Sequence, residues 1–237
     1  MNEYLSNYFR DKVCKTCYSW RDILNKEQGN IFTILNIDRL DILEDIKNTL
    51  DDALHQGETS RWFIKQLTPT LQNKGWWNKP IIIDNGTSCN EIPTNSEWLD
   101  CIYRTHMHTA YMAARYRQML DSIDSRPYWM YEAVNDNRTR LDHGALDGLI
   151  LKYDDPFWKT HFPPNGPKCR CKVSALSEFG MKKHGLTVCN SRDYLIIKEA
   201  TLSDWRTGEK YAYTIIGYQL PGKMVSFADI GFSIIPG

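Results

Sequence analysis

The chain has 237 residues, and its 29 basic residues balance 29 acidic ones. A net charge of zero argues against a protein that coats nucleic acid, which would be basic. Hydrophobic residues at 42% and charged residues at 24% suit a folded chain, long enough for one large domain or two small ones. No run of about 18 apolar residues occurs, so no membrane span is expected. The opening Met1-Asn2-Glu3-Tyr4 lacks a basic stretch followed by an apolar one. No secretory signal is therefore expected, and the chain is expected to stay in the cytoplasm. Seven scattered cysteines read as thiols or metal ligands rather than as a disulfide framework.

Residues 1–30 are polar and aromatic, and Tyr4, Tyr8 and Phe9 suit one helical face, with Tyr18 and Trp20 further on. From Asn36 to Gln56 the apolar residues Ile37, Leu40, Leu43, Ile46, Leu50, Ala53 and Leu54 recur at steps of three and four. That spacing predicts a helix, with Gly57 as its C-terminal cap. A second helix is expected after Thr59, carrying Trp62, Phe63 and Leu67, broken or restarted at Pro69. Residues 78–95 read as a loop, with a short strand at Ile81-Ile82-Ile83.

A long helix is expected from about Ser96 to Ile123, striped by Trp98, Ile102, Thr105, Thr109, Ala113, Tyr116 and Leu120. Small residues on it, Ala110, Ala113 and Ala114, would let another element approach closely. Beyond Pro127 the pattern changes to short strands: Tyr128–Val134, Leu149–Tyr153 and Cys169–Leu176. Between them lie a turn at Asp136–Arg140, one helical turn at His143–Leu146 ending at Gly148, and an irregular Pro163–Pro167. The tail offers strand-like runs at Tyr194–Ile197 and Tyr211–Ile216. Helices first and short strands later predict an α+β fold: N-terminal helices, one of them long, then a small mixed module of strands and Pro/Gly-rich turns. The expected divisions are a helical region at 1–95, a core module at 96–190 and a strand-rich tail at 191–237.

The stretch 136–177 carries the chemistry. If Cys169 and Cys171 lie on a strand, both sulfurs face one side and Arg170 the other. With His143 they make three donors of the kind zinc prefers, and a closed site needs four. His161, Asp136 and Cys189 are the candidates for the fourth. The plainer alternative makes the cysteines small core residues and His143 a hydrogen-bonded turn residue. Cys14-x-x-Cys17 is a second, weaker half-site. His106-x-His108 sits on the long helix, where residues two apart do not share a face. A hydrolytic reading would use His143 with Arg138, Arg140 and Asp142 near Asp154 and Asp155. No glycine-rich phosphate loop, Gly-x-Ser-x-Gly elbow or His-Glu-x-x-His accompanies it.

The ordered set Asp136-x-Arg138-Thr139-Arg140, His143, Gly148, Asp155-Pro156-Phe157-Trp158, Pro163-Pro164-Asn165-Gly166 and Cys169-Arg170-Cys171 resembles the phage Mu F-like head morphogenesis family. The resemblance covers most of the chain and is strongest from about 96 to 180. Many members carry a Cys pair after the Asp-x-x-Thr, where this chain, like the Mu-like branch, has Arg140 and His143. The resemblance implies a minor head protein present in few copies. It would act in virion assembly near the portal, in the host cytoplasm first and the virion head afterwards. Portal, capsid or scaffold proteins would be its partners, with packaged double-stranded DNA as a further contact and no membrane. It implies no catalytic residues and a structural part for Asp136, Arg138, Thr139, Arg140, His143, Gly148, Pro164, Gly166 and Arg170. Cys169, Cys171 and His143 would hold a structural zinc if a metal is present. The rival reading is a toxin-like nuclease centred on His143 and Arg138.

Overall fold

The structure is a computed structural model that describes residues 3–17, 30–84, 89–203, 207–229 and 232. Tyr18 and Trp20 lie outside the described residues. The fold is α+β, with seven α-helices and small sheets among the described residues. Two compact units form: residues 1–110 with 201–212, and residues 111–200 with 213–236.

The first unit is built on two helices, α2 (Leu40–Gln56) and α3 (Ser60–Asn73), which pack on one another. They follow a short α1 (Glu3–Ser6), β1 (Val13–Cys14) and β2 (Ile31–Phe32), with β1 and β2 paired in parallel. The inward stripe of α2 is Ile42, Leu43, Ile46, Leu50, Ala53 and Leu54. It meets Phe63, Leu67 and Leu71 of α3 in one cluster, joined by Phe9 and Phe32. Gly57 closes α2 with φ 69°, and its N–H donates to the Ala53 carbonyl. Only glycine enters that left-handed region at no steric cost.

Several expectations need correction here. Helix α2 starts at Leu40 rather than Asn36, because Asn36 has φ 64° and Ile37 bridges Cys17. Leu40 is therefore on the first turn and exposed, not on the stripe. Pro69 does not break α3, which runs through it to Asn73. Buried Leu67 and Leu71 flank the proline, and packing offsets the lost hydrogen bond. The short strand expected at Ile81-Ile82-Ile83 is β3 (Pro80–Asp84), but the rest of 78–95 is not all loop: β4 (Cys89–Pro93) pairs with β3 antiparallel, with Ile81 opposite Ile92.

Helix α4 (Ser96–Leu120) is capped by Asn95, whose side-chain oxygen accepts from the N–H groups of Glu97 and Trp98. Its buried positions are Trp98, Leu99, Ile102, Ala110, Met112, Ala113, Ala114 and Met119, while Leu120 is exposed. Residues 96–110 belong to the first unit and 111–120 to the second.

The second unit centres on β5 (Tyr128–Glu132), flanked by β6 (Ile150–Lys152) and β7 (Lys172–Leu176), antiparallel to both. Between these strands lie α5 (Leu141–Ala145) and α6 (Trp158–His161), and α7 (Glu178–Lys183) follows β7. Alternation along β5 sends Trp129 and Tyr131 inward. Trp129 lies 5.7 Å from Trp158 and 5.9 Å from Phe162, ring centre to ring centre. Phe157 and Tyr218 complete this aromatic core at 4.9 Å. A second sheet runs β10–β9–β8, from β8 (Leu195–Ser203), β9 (Lys210–Gln219) and β10 (Val225–Phe227). Gly217 is needed on β9 because a Cβ there would run into the Phe227 ring. No helix among the described residues is long and apolar enough to cross a membrane.

Two outcomes test this packing. Leu50 is fully buried in the α2–α3 core, so Leu50→Ala should cost about 3 kcal/mol in chemical denaturation of the chain. His106 packs on Phe32 with ring centres 4.9 Å apart. Burial, and secondarily Lys12, pushes its pKa down to about 4. The unfolded imidazole titrates near about 6.5. Between those values the unfolded chain binds more protons, so stability present above the upper value drains away as the pH falls towards the lower. Melting followed across that interval should show a shallower slope for His106→Leu than for the natural chain.

Candidate functional site

The site grows from the turn that follows β5. Asp136 accepts the Arg138 N–H at 3.0 Å and the Thr139 hydroxyl at 3.2 Å through one carboxylate oxygen. The Thr139 N–H returns to the Asp136 carbonyl at 3.0 Å. An aspartate that mimics a backbone turn in this way stiffens the loop. The same carboxylate receives the Arg170 guanidinium as a fork, with contacts of 2.7 and 2.5 Å. That hydrogen-bonded charge is the main reason its pKa lies well below the usual carboxylate range. Arg138 is the outlying member, 79% exposed and 3.9 Å from Asp136.

Arg140 starts α5 and turns its side chain to Asp229, 2.6 Å away, and to the Pro167 carbonyl. Gly166 sits beneath this pair, where a Cβ would meet both Asp229 and Arg140. The neighbouring Pro163–Pro164 peptide is cis. Gly148, at φ 75°, ends the helical turn and donates its N–H to the Tyr131 carbonyl at 2.9 Å. Asp147 beside it accepts the Ala133 N–H at 2.8 Å and the Asn135 amide at 2.7 Å.

Arg140 and Arg170 thus anchor two surfaces of one small scaffold, and its interior holds the thiols. Cys169 and Cys171 precede β7 rather than lying on it, because Lys168 at φ 57° turns the chain just before them. Their sulfurs nevertheless face the same side. Cys169 Sγ is 3.7 Å and Cys171 Sγ 3.8 Å from His143 Nδ1. All three side chains are buried, and His143 Nε2 is buried without a hydrogen-bond partner. The Cys171 thiol hydrogen-bonds Cys169 and holds its pKa down, assisted by His143 and the Asn165 N–H and opposed by burial. The Cys171 pKa is pushed up, first by the hydrogen bond to Cys169 and then by burial and the charge beside it.

None of the three candidates for a fourth donor joins this group. Asp136 is held by Arg170. His161 shares its ring nitrogens between the Thr160 hydroxyl at 2.9 Å and the Ser226 carbonyl at 3.2 Å. Cys189 lies outside the cluster of possible ligands, which among the described residues holds His143, Cys169 and Cys171 alone. Cys14 and Cys17 stay in the first unit, Cys17 in a bridge to Leu35, and do not join Cys169 and Cys171.

The residues of the hydrolytic reading are likewise placed. His143 is buried, Arg140 is paired with Asp229, and Asp154 stands exposed. Asp155 caps the Phe157 N–H and receives the backbone and hydroxyl of Ser191. Sequence reasoning gave no individual role to Tyr131, Asp147, Asn165 or Asp229. Asn165 is fully buried and donates its side-chain amide to the Tyr131 hydroxyl at 3.0 Å, while its backbone carbonyl accepts the Asp229 N–H at 2.9 Å. A polar residue inside a Pro-Pro-Asn-Gly run reads as a turn former, and only burial distinguishes it.

The scaffold lies within a match to the family model described as "Phage Mu protein F like protein", which covers residues 44–174. This chain belongs to that family. Among Mu F-like relatives, one from Escherichia phage Mu, called protein F and named for capsid assembly, is 38% identical over 232 residues. The alignment takes in 97% of this chain and 53% of that relative. A Mu-like prophage FluMu F protein of Haemophilus influenzae is 39% identical over 200 residues, 84% of this chain and 47% of its own length. The chain therefore spans about half the length of these curated Mu F-like relatives. No solved structure matches it.

The geometry at Gly166 makes a definite expectation. Gly166→Ala should expel the Arg140–Asp229 pair, which has flexible ends, and so cost about 1 kcal/mol or less. Adding Asp229→Asn should then cost nothing further, a non-additivity that a double-mutant cycle in urea reads directly.

Proposed function

We propose that this chain works in assembling the head of a tailed phage, as a minor, non-catalytic component that docks on the portal. The observation that carries this reading is the 38% identity over 97% of the chain to a protein named for capsid assembly. The scaffold at 136–171 supports it. Its polar side chains are spent on its own turns and ion pairs, which suits a rigid mounting surface. Leu141, 76% exposed at the start of α5 in that scaffold, offers an apolar anchor beside those pairs.

On this reading the chain acts in the host cytoplasm during assembly and leaves in the virion head. Capsid and scaffold proteins are its other neighbours. Packaged DNA is a secondary contact, through exposed cations such as Arg138. With zero net charge overall, that contact is local and falls steeply with salt.

The test is co-expression with a portal protein from the same phage or prophage genome, followed by native mass measurement. A complex of defined stoichiometry is expected, weakened by Leu141→Asp. Absence of a complex at micromolar concentrations overturns portal docking. Cleavage of labelled RNA or DNA by the purified chain, lost in His143→Ala with the fold retained, would replace the assembly reading with a nuclease.

A further inference from the structure

The geometry points to a metal centre: we propose that Cys169 Sγ, Cys171 Sγ and His143 Nδ1 bind one zinc ion, with a water molecule as the fourth ligand. The three donor atoms lie within 4.8 Å of one another, and all three residues are buried. Tetrahedral zinc, with Zn–S about 2.3 Å and Zn–N about 2.0–2.1 Å, sets a sulfur–nitrogen separation of roughly 3.6 Å. The two sulfur–nitrogen distances here are 3.7 and 3.8 Å.

Two sulfurs stand at nearly equal distance from His143 Nδ1, and a cation between the three atoms would take a lone pair from each of them. Two thiols and an imidazole are donors suited to zinc rather than to magnesium or calcium.

The surroundings complete the case. The Asn165 N–H donates to the Cys169 sulfur, and the Tyr131 hydroxyl donates to the Cys171 sulfur. Donors of this kind fix thiolates in place in metal sites. The Asn165 side-chain oxygen is buried without a partner. A zinc-bound water needs an acceptor, and this oxygen is unspent. Asp136, His161 and Cys189 are committed elsewhere or outside the cluster, so the described residues supply three ligands and leave one vertex to a water molecule. Ligation through Nδ1 also places the imidazole proton on Nε2. The role is bracing: the ion ties α5 to the segment entering β7. This inference stands whether or not the chain docks on a portal.

The experiment is elemental analysis of the whole chain, expressed in zinc-supplemented medium and purified under reducing conditions without chelator. About one zinc per chain is expected. Cys169→Ser with Cys171→Ser should abolish it, and Cys14→Ser with Cys17→Ser should leave it unchanged. Should the first pair fail to fold, the natural chain still decides. Thiol modification should release one equivalent of zinc to a chromogenic chelator, and cobalt exchanged into the site should show thiolate-to-cobalt charge transfer. His143→Ala should weaken zinc binding by about 10-fold or more, and His143→Cys should restore it. Reduced natural chain that neither carries zinc nor takes it up on titration overturns the proposal. Zinc retained by the Cys169/Cys171 double variant, or lost from the Cys14/Cys17 variant, does so as well.

Discussion

Strand β5 hydrogen-bonds along both edges, to β6 and to β7, and its inward side chains Trp129 and Tyr131 are fully buried. The rest of the second unit follows from that constraint. A central strand has no free backbone edge to solvate, so its register with both neighbours is pinned by the faces it buries. Trp129 gathers Tyr116, Trp158 and Phe162 around it. Tyr131, opposite Val173, lies against the segment that carries the two thiols and receives the Asn165 amide. Misregister of β5 by one residue would turn both aromatic rings outward and dissolve the thiol–imidazole group together with the core.

Around that sheet the polar motif residues act locally. Asp136 serves two turn donors and one guanidinium, and Arg140 reaches Asp229 across the Gly166 backbone. Exposed pairs of this kind contribute little free energy each. Their effect is geometric: each ties a Pro/Gly-rich segment, which has few backbone hydrogen bonds of its own, to a neighbour distant in sequence. The aromatic core supplies the stability, and the ion pairs select one arrangement of the loops above it.

Much of this was legible in the chain. The α2 stripe from Leu43 to Leu54, the Gly57 cap, the long helix from Ser96 and the strand after Pro127 follow from local periodicity and turn chemistry. The errors share one cause. Asn36 and Ile37 continue the apolar spacing of α2, but the backbone there is left-handed and bridged to Cys17. Pro69 carries a local breaking signal that packing of Leu67 and Leu71 overrides. The hairpin at 80–93 hides in a segment rich in Pro and Asn because strand pairing, not composition, holds it.

The candidate site divides the same way. The motif Cys169-x-Cys171 with His143 could be singled out from residue types, since sulfur and imidazole are the donors a soft metal selects. The i and i+2 spacing was read through a strand that the structure does not form at those residues, yet an extended segment gives the same alternation. Burial, the two sulfur–nitrogen distances, the failure of Asp136, His161 and Cys189 as a fourth donor, and the roles of Tyr131 and Asn165 were beyond any reading of the chain. Residue type and spacing are local and survive in one dimension. Convergence of positions 131, 143, 165, 169 and 171 requires long-range sheet pairing and the packing of a buried core, and only the tertiary structure decides where those bring side chains together.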